Sequence, residues 1–246
     1  MRRLILSDIH ANLEALEAVL RDAQGTYDEI LCCGDFAGYC ASPAEVIDWA
    51  RGNVRHAVRG NHDRGCAGTA DISDFNLPAR VATLWTRSQL PREDLDWLAS
   101  LPAGPVFAEE FQLCHGSPAD EDEYLLSSSL VEPLDEFMLR PVCFVGHTHI
   151  QGGWSWQRGG LLPLSRPALT ESERIVDLDP DYLYLINPGS VGQPRDRDPR
   201  AAYAVWDSGE RLLTFRRVRY DIRAAQSRIL EAGLPELLAE RLAFGR

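Results

Sequence analysis

A chain of 246 residues, 45% hydrophobic and 25% charged, can bury a substantial core, and this composition excludes the disordered and membrane-spanning classes. Its net charge of −12, from 37 acidic against 25 basic residues, excludes the concentrated basic face that extended nucleic acid or an anionic membrane demands. A small phosphorylated substrate fits this balance if bound metal supplies positive charge.

Met1-Arg2-Arg3 is followed by only Leu4-Ile5-Leu6 before Ser7-Asp8. That apolar run is too short for a signal peptide, so the twin arginine is not read as an export signal and a cytoplasmic location is expected. The same run predicts a strand that delivers Ser7-Asp8-Ile9-His10 to a loop. Asn12 then caps a helix whose Leu13, Leu16, Leu20 and Ala23 recur at helical spacing. The pattern repeats: residues 29–33 predict a strand ended by Gly34-Asp35, and Pro43 opens a helix carrying Val46, Ile47 and Ala50. Residues 55–58 predict a third strand, which delivers Gly60-Asn61-His62-Asp63. Strands and helices alternating on short loops imply a parallel sheet with helices on its faces, and ligands gather at the carboxyl ends of such strands.

Residues 71–100 read as helical with a break at Pro91, and 64–100 are a candidate helical cap over a site. Residues 105–108 and 111–114 predict a hairpin that delivers His115-Gly116-Ser117-Pro118. The acidic run Asp120-Glu121-Asp122-Glu123 reads as a solvated loop. Residues 125–139 predict a helix, and 142–145 a fully apolar strand that ends in Gly146-His147-Thr148-His149. Beyond it, residues 151–156, 161–164, 174–176, 182–186, 201–206 and 211–218 predict strands without intervening helices, most simply a second sheet. Asn187-Pro188-Gly189-Ser190 is a turn-rich loop able to approach the site, and 221–246 close the chain as two helices. No repeat, linker or low-complexity segment divides the chain, so residues 1–246 are expected to form one domain. The six cysteines include no C-x-x-C pair and read as buried free thiols in a reducing compartment.

Five of the six histidines, His10, His62, His115, His147 and His149, fall in loops just after predicted strands, and only His56 lies inside one. Asp8-x-His10 places a carboxylate and an imidazole on the same side of an extended segment, because alternate strand residues point the same way, and His147-x-His149 repeats the device. Adding Asp35, Asn61 and His115 gives seven oxygen or nitrogen ligands. That is too many for one tetrahedral zinc with an open position, yet adequate for two ions that share a bridging carboxylate. The ligand mix suits manganese, iron, cobalt, nickel or zinc, and manganese is the first expectation. Two such ions clamp a phosphoryl group and orient a bridging hydroxide for in-line attack. His62, next to Asn61 but outside the ligand count, is then placed to protonate the leaving oxygen. Arg59 and Asn12 are candidate phosphate contacts, although helix capping explains Asn12 equally well. Arg64, Arg195, Arg197 and Arg200 read as surface charge balance.

These residues resemble the calcineurin-like metallophosphoesterases, particularly a small bacterial and archaeal phosphodiesterase-like branch. The resemblance rests on Asp8-x-His10, Gly34-Asp35, Gly60-Asn61-His62-Asp63, His115-Gly116 and Gly146-His147-Thr148-His149, in that order, with the Asn187 to Arg195 loop extending it. It implies a four-layer α/β/β/α sandwich of two mixed β-sheets with helices on the outer faces. It also implies that Asp8, His10 and His149 hold one ion, that Asn61, His115 and His147 hold the other, and that Asp35 bridges them. His62 corresponds to the family's proton-donating or phosphate-contacting histidine. The implied activity is hydrolysis of a phosphodiester or small phosphomonoester; a protein phosphatase, a dinucleoside polyphosphate hydrolase and a non-catalytic scaffold are the alternatives. The intact ligand set argues against the scaffold. Ala11 and Cys40 depart from the branch, which usually has Gly at both positions. The expected partners are two divalent ions and a small phosphorylated substrate, with assembly into a homo-oligomer left open.

Overall fold

Leu4, Ile5 and Leu6 are all fully buried, yet they enter two different cores. Alternation along β1 (Arg2–Leu6) sends Leu4 and Leu6 to one face of a sheet and Ile5 to the other. The computed structural model describes residues 1–246, and the same division recurs through both of its sheets. In β2 (Glu29–Cys32), Ile30 and Cys32 join Leu4 and Leu6 against α1 (Leu13–Asp22) and α2 (Pro43–Asn53), whereas Leu31 joins Ile5. That second core lies between the sheets. Its large residues include Phe111, Phe144, Trp206 and Phe215, each burial contributing roughly 1.5–3 kcal/mol. Two sheets with helices outside them give the four layers.

β1, β2 and β3 (Val54–Ala57) are parallel, as their alternation with helices predicts. After α3 (Asn61–Ala67), α4 (Leu77–Gln89) and α5 (Arg92–Ser100), the hairpin β4 (Val106–Phe107) and β5 (Phe111–Leu113) begins the second sheet. Residues 64–100 divide their packing. Leu90 and Leu98 reach the main core beside Phe36, while Ala79 and Ala82 of α4 pack with Tyr39 and Cys40.

Two expectations need correction. Residues 125–139 do not form one helix: α6 (Ser128–Val131) passes into a 3-10 turn, Glu132–Phe137, because Pro133 cannot donate to the helical ladder. The later strands also do not build a sheet by themselves. β6 (Val142–Phe144), β7 (Gly152–Gln157), β8 (Gly160–Pro163) and β10 (Leu183–Asn187) complete the second sheet in the order β4-β5-β6-β10-β7-β8. β9 (Glu173–Asp177), β11 (Ala201–Asp207) and β12 (Leu212–Val218) return to the first, which runs β3-β2-β1-β11-β12-β9. β11 lies antiparallel to β1, so both sheets are mixed. α7 (Ile222–Glu231) and α8 (Glu236–Leu242) close the chain, placing Ile229, Leu238 and Leu242 against Ala11, Tyr39 and Cys40. All six cysteines are buried and unpaired.

Candidate metal centre

Parallel strands of each sheet release their carboxyl ends toward one edge of the sandwich. Asp8 and His10 follow β1, Asp35 follows β2 and Asn61 follows β3; His115 follows β5, and His147 and His149 follow β6. The structure gathers them into two groups of ligand atoms. Asp8, His10, Asp35 and His149 form one, and Asp35, His115 and His147 form the other, with the atoms of each group within 4.8 Å of one another. Asp35 belongs to both. Its Oδ2 lies 3.5 Å from His10 Nε2 on one side and 3.5 Å from His115 Nε2 on the other. Asn61 Oδ1 lies 3.4 Å from His115 Nε2, beside the second group.

Convergence is achieved by turns rather than by strand alternation. Asp8, His10, Asp35, His147 and His149 all have φ between 49° and 66°, so neither Asp8-x-His10 nor His147-x-His149 is extended. Non-glycine residues in this left-handed region cost about 1–3 kcal/mol each, and such strain collects where side chains must be aimed. Ala11, at φ 54°, also takes a conformation that glycine adopts more readily, whereas Cys40 does not. Gly60 is needed for a different reason. Its φ is an ordinary −99°, but a Cβ there would stand 2.0 Å from Asp35 Oδ1. Asp63 ties the Asp35 loop to the start of α3: its carboxylate accepts from the backbone N–H of Gly60, Asp35, Phe36 and Ala37 at 2.8 to 3.1 Å.

Each imidazole has one nitrogen committed to a backbone carbonyl. His10, His115 and His149 donate from Nδ1 to Ala37, Cys33 and Gln193 at 2.9, 2.7 and 2.6 Å, leaving Nε2 as a bare lone pair. His147 donates from Nε2 to the Asp122 carbonyl at 3.1 Å. The bare Nε2 atoms of His10 and His149 face each other at 3.1 Å, and the buried Oδ2 atoms of Asp8 and Asp35 have no hydrogen-bond partner. Burial pushes the Asp8 carboxyl up to about 7 and holds Asp35 well above the usual carboxylate range, where Asp63 adds to the effect. It holds His10 and His149 well below the usual imidazole value and His147 down to about 2. Crowded lone pairs beside unsolvated carboxylates fit bound divalent cations, which supply the missing charge.

The other expected site residues fall differently. His62 is 4% exposed and makes no ring hydrogen bond, with its ring packed between Tyr39 and Phe75 at centroid distances of 4.4 and 4.8 Å. Asn12 is committed within the fold. Fully buried, it caps α1 by accepting from Ala15 N–H at 3.1 Å and donates to the Gly192 carbonyl at 2.8 Å. Arg59 is committed to Glu121 in a two-pronged pair at 2.9 and 2.8 Å. The acidic run is the solvated loop expected, with Asp120 and Asp122 exposed, and ion pairs tie it down: Arg59 and Arg64 hold Glu121, Arg64 holds Asp122, and the Asp122 backbone positions His147.

Arg195 is the residue that charge counting missed. Its guanidinium donates to Tyr39 OH at 3.1 Å and Gln193 Oε1 at 3.2 Å, and its Nε is buried without a partner. Its charge reaches Asp8, Asp35 and His62. Beneath it, buried Arg217 bonds Gln151 Oε1 at 2.9 Å and pairs with Asp196, fixing the loop that carries Arg195. Two sequence signals point to this loop at the site, the turn-rich signature at Asn187 and the resemblance that runs on to Arg195.

A calcineurin-like phosphoesterase superfamily domain matches residues 1–211. The chain is 39% identical to an uncharacterised protein of Methanocaldococcus jannaschii over 98% of its own length and 97% of that protein's. A crystal structure of a metallophosphoesterase from Sphaerobacter thermophilus superposes with a TM-score of 0.87 at 40% identity, covering 100% of this chain and 99% of that one. A hypothetical protein from Pyrococcus horikoshii shares the fold at a TM-score of 0.78 and 20% identity, covering 100% and 98%. With these ligand groups at the edge of a two-sheet sandwich, and these relatives along its whole length, the chain belongs to the calcineurin-like phosphoesterase superfamily.

Proposed function

We propose that this protein is a dinuclear-metal-dependent phosphoesterase acting on phosphodiesters or small phosphomonoesters. The observation that carries the reading is Asp35 Oδ2, a buried oxygen without a hydrogen-bond partner that is shared by two groups of ligand atoms. Asp8, His10 and His149 would hold one ion, and Asn61, His115 and His147 the other. Two divalent ions there supply positive charge for the phosphoryl oxygens and a water acidic enough to attack phosphorus at neutral pH.

The chain's own side chains bind and protonate. Arg195, backed by Tyr39 and Gln193, offers a guanidinium with no carboxylate partner to a phosphoryl oxygen. His62 is kept neutral in the free protein by burial and by the Arg195 charge, so it first meets substrate as a hydrogen-bond donor. A phosphate anion beside it raises its proton affinity, so that the ring would take up a proton from solvent, pass that proton to the leaving oxygen and return to its neutral form. Six buried, unpaired cysteines support the cytoplasm as its place of work.

Metal-stripped protein should hydrolyse a bis-aryl phosphate only after Mn²⁺, Co²⁺ or Ni²⁺ is restored. Absence of turnover with every divalent ion would overturn the enzymatic reading.

A further inference from the structure

Beside the candidate metal centre lies a cleft of about 490 Å³, within the size range of small-molecule sites. Asn61, His62 and His147 form its inner end. Its walls are aromatic. Phe75 packs on His62 at 4.8 Å between ring centroids, Tyr39 packs on the same ring at 4.4 Å, and Tyr124 lies over His147 at 3.7 Å with the ring planes 33° apart. Phe75 and Tyr124 are both partly solvent-exposed, so each retains surface for a ligand.

The mouth is acidic. Asp71, Asp74 and Asp122 line it against a single cation, Arg64, which is already paired with Glu121 and Asp122. Asp74 is exposed and forms neither a hydrogen bond nor an ion pair. A ligand entering here meets aromatic rings set among polar side chains and a negative rim, while the buried and unpartnered ring of His62 waits at the inner end.

We propose that this cleft is the leaving-group subsite and that it selects phosphate esters of planar, uncharged aromatic alcohols over esters whose leaving group carries further phosphate or carboxylate. The inference rests on the phosphoesterase reading and specifies its substrate class. Stacking on the exposed surface of Phe75 or Tyr124 favours a flat ring. Asp71 and Asp74 repel a second anion, which disfavours polyphosphates and acidic phosphopeptides as substrates.

Binding separates this proposal from the activity itself. Metal-loaded protein is titrated calorimetrically with phenylphosphonate, methylphosphonate and 4-carboxyphenylphosphonate. Phenylphosphonate should bind at least about tenfold more tightly than the other two, in keeping with one stacked ring and one like-charge contact. In Phe75→Leu the preference for phenyl over methyl should fall at least threefold, and in Asp71→Asn/Asp74→Asn the penalty on the carboxylated ring should shrink by a similar factor. Equal affinities for the three ligands, or a Phe75→Leu effect that is the same for phenyl and methyl, would overturn the subsite, the latter because Phe75 would then only support His62. Ligand preference without hydrolysis of any ester would sustain the cleft and sink the phosphoesterase reading; hydrolysis without preference would do the reverse.

Discussion

Asp8, His10 and His149 are closed in on all sides, none more than 2% exposed, whereas Asn61 and His147 line an open cleft. The two halves of the centre also differ in what steadies them. His10 and His149 bond carbonyls of Ala37 and Gln193, on loops braced by the buried carboxylates of Asp63 and Asp196. His147 bonds the carbonyl of Asp122, in a rim loop held only by ion pairs that solvent reaches. The first half is thus the more firmly braced, and the second reaches the cleft through Asn61 and His147.

Asp35→Asn tests the comparison most severely, because it removes the charge common to both halves. Metal analysis should fall from about two ions per chain to less than one, with activity at background. Loss of one ion with the other intact would contradict a shared carboxylate. His62→Ala should reduce the rate by roughly 10² to 10⁴ while both ions stay bound, since the ring belongs to neither half. Concurrent loss of metal would make His62 a ligand. Glu121→Gln loosens the rim loop and should weaken only the second ion, by roughly 10- to 100-fold, in a competition titration with a chelator. An equal effect on both ions would erase the proposed difference in support.

The smallest effect concerns pH. Below roughly pH 4 the Asp8 carboxyl is protonated in both folded and unfolded chains. Between there and its raised value of about 7, the metal-free folded chain holds a proton that the unfolded chain has released. The stability this confers is complete below the unfolded value and is lost as pH rises through the folded one. Metal binding must displace that same proton, so affinity at the first half should fall by up to about tenfold per unit below pH 7. The rise in Tm on adding Mn²⁺ should accordingly be larger at pH 8 than at pH 5.5, and equal shifts would count against Asp8 as a ligand.

The ligand residues were legible because each follows a short apolar strand, and strand-loop-helix alternation is local. Sheet membership was not. The patterns of Glu173–Asp177, Ala201–Asp207 and Leu212–Val218 announce strands, but they join the first sheet only because Ala201–Asp207 pairs with β1, some two hundred residues away, which long-range packing decides. Side-chain direction misled for a related reason. A two-residue spacing suggested an extended segment, whereas left-handed turns at Asp8 and His10 bring the same atoms together. For the arginines, sequence reveals charge and not its partner: Arg59 has Glu121, and Arg195 has no carboxylate.

The carboxylate of Asp63 has a consequence for how the centre attracts its substrate. Four converging backbone N–H groups make a cradle of the kind that captures free phosphate, and here the chain has plugged it with a side chain of its own. With that cradle filled, its four N–H groups are closed to a phosphate, and the Oδ2 atoms of Asp8 and Asp35 beside it have no hydrogen-bond partner. Under the proposed function, affinity for phosphate would then come from bound ions together with Arg195, and removing the ions should weaken recognition as well as chemistry.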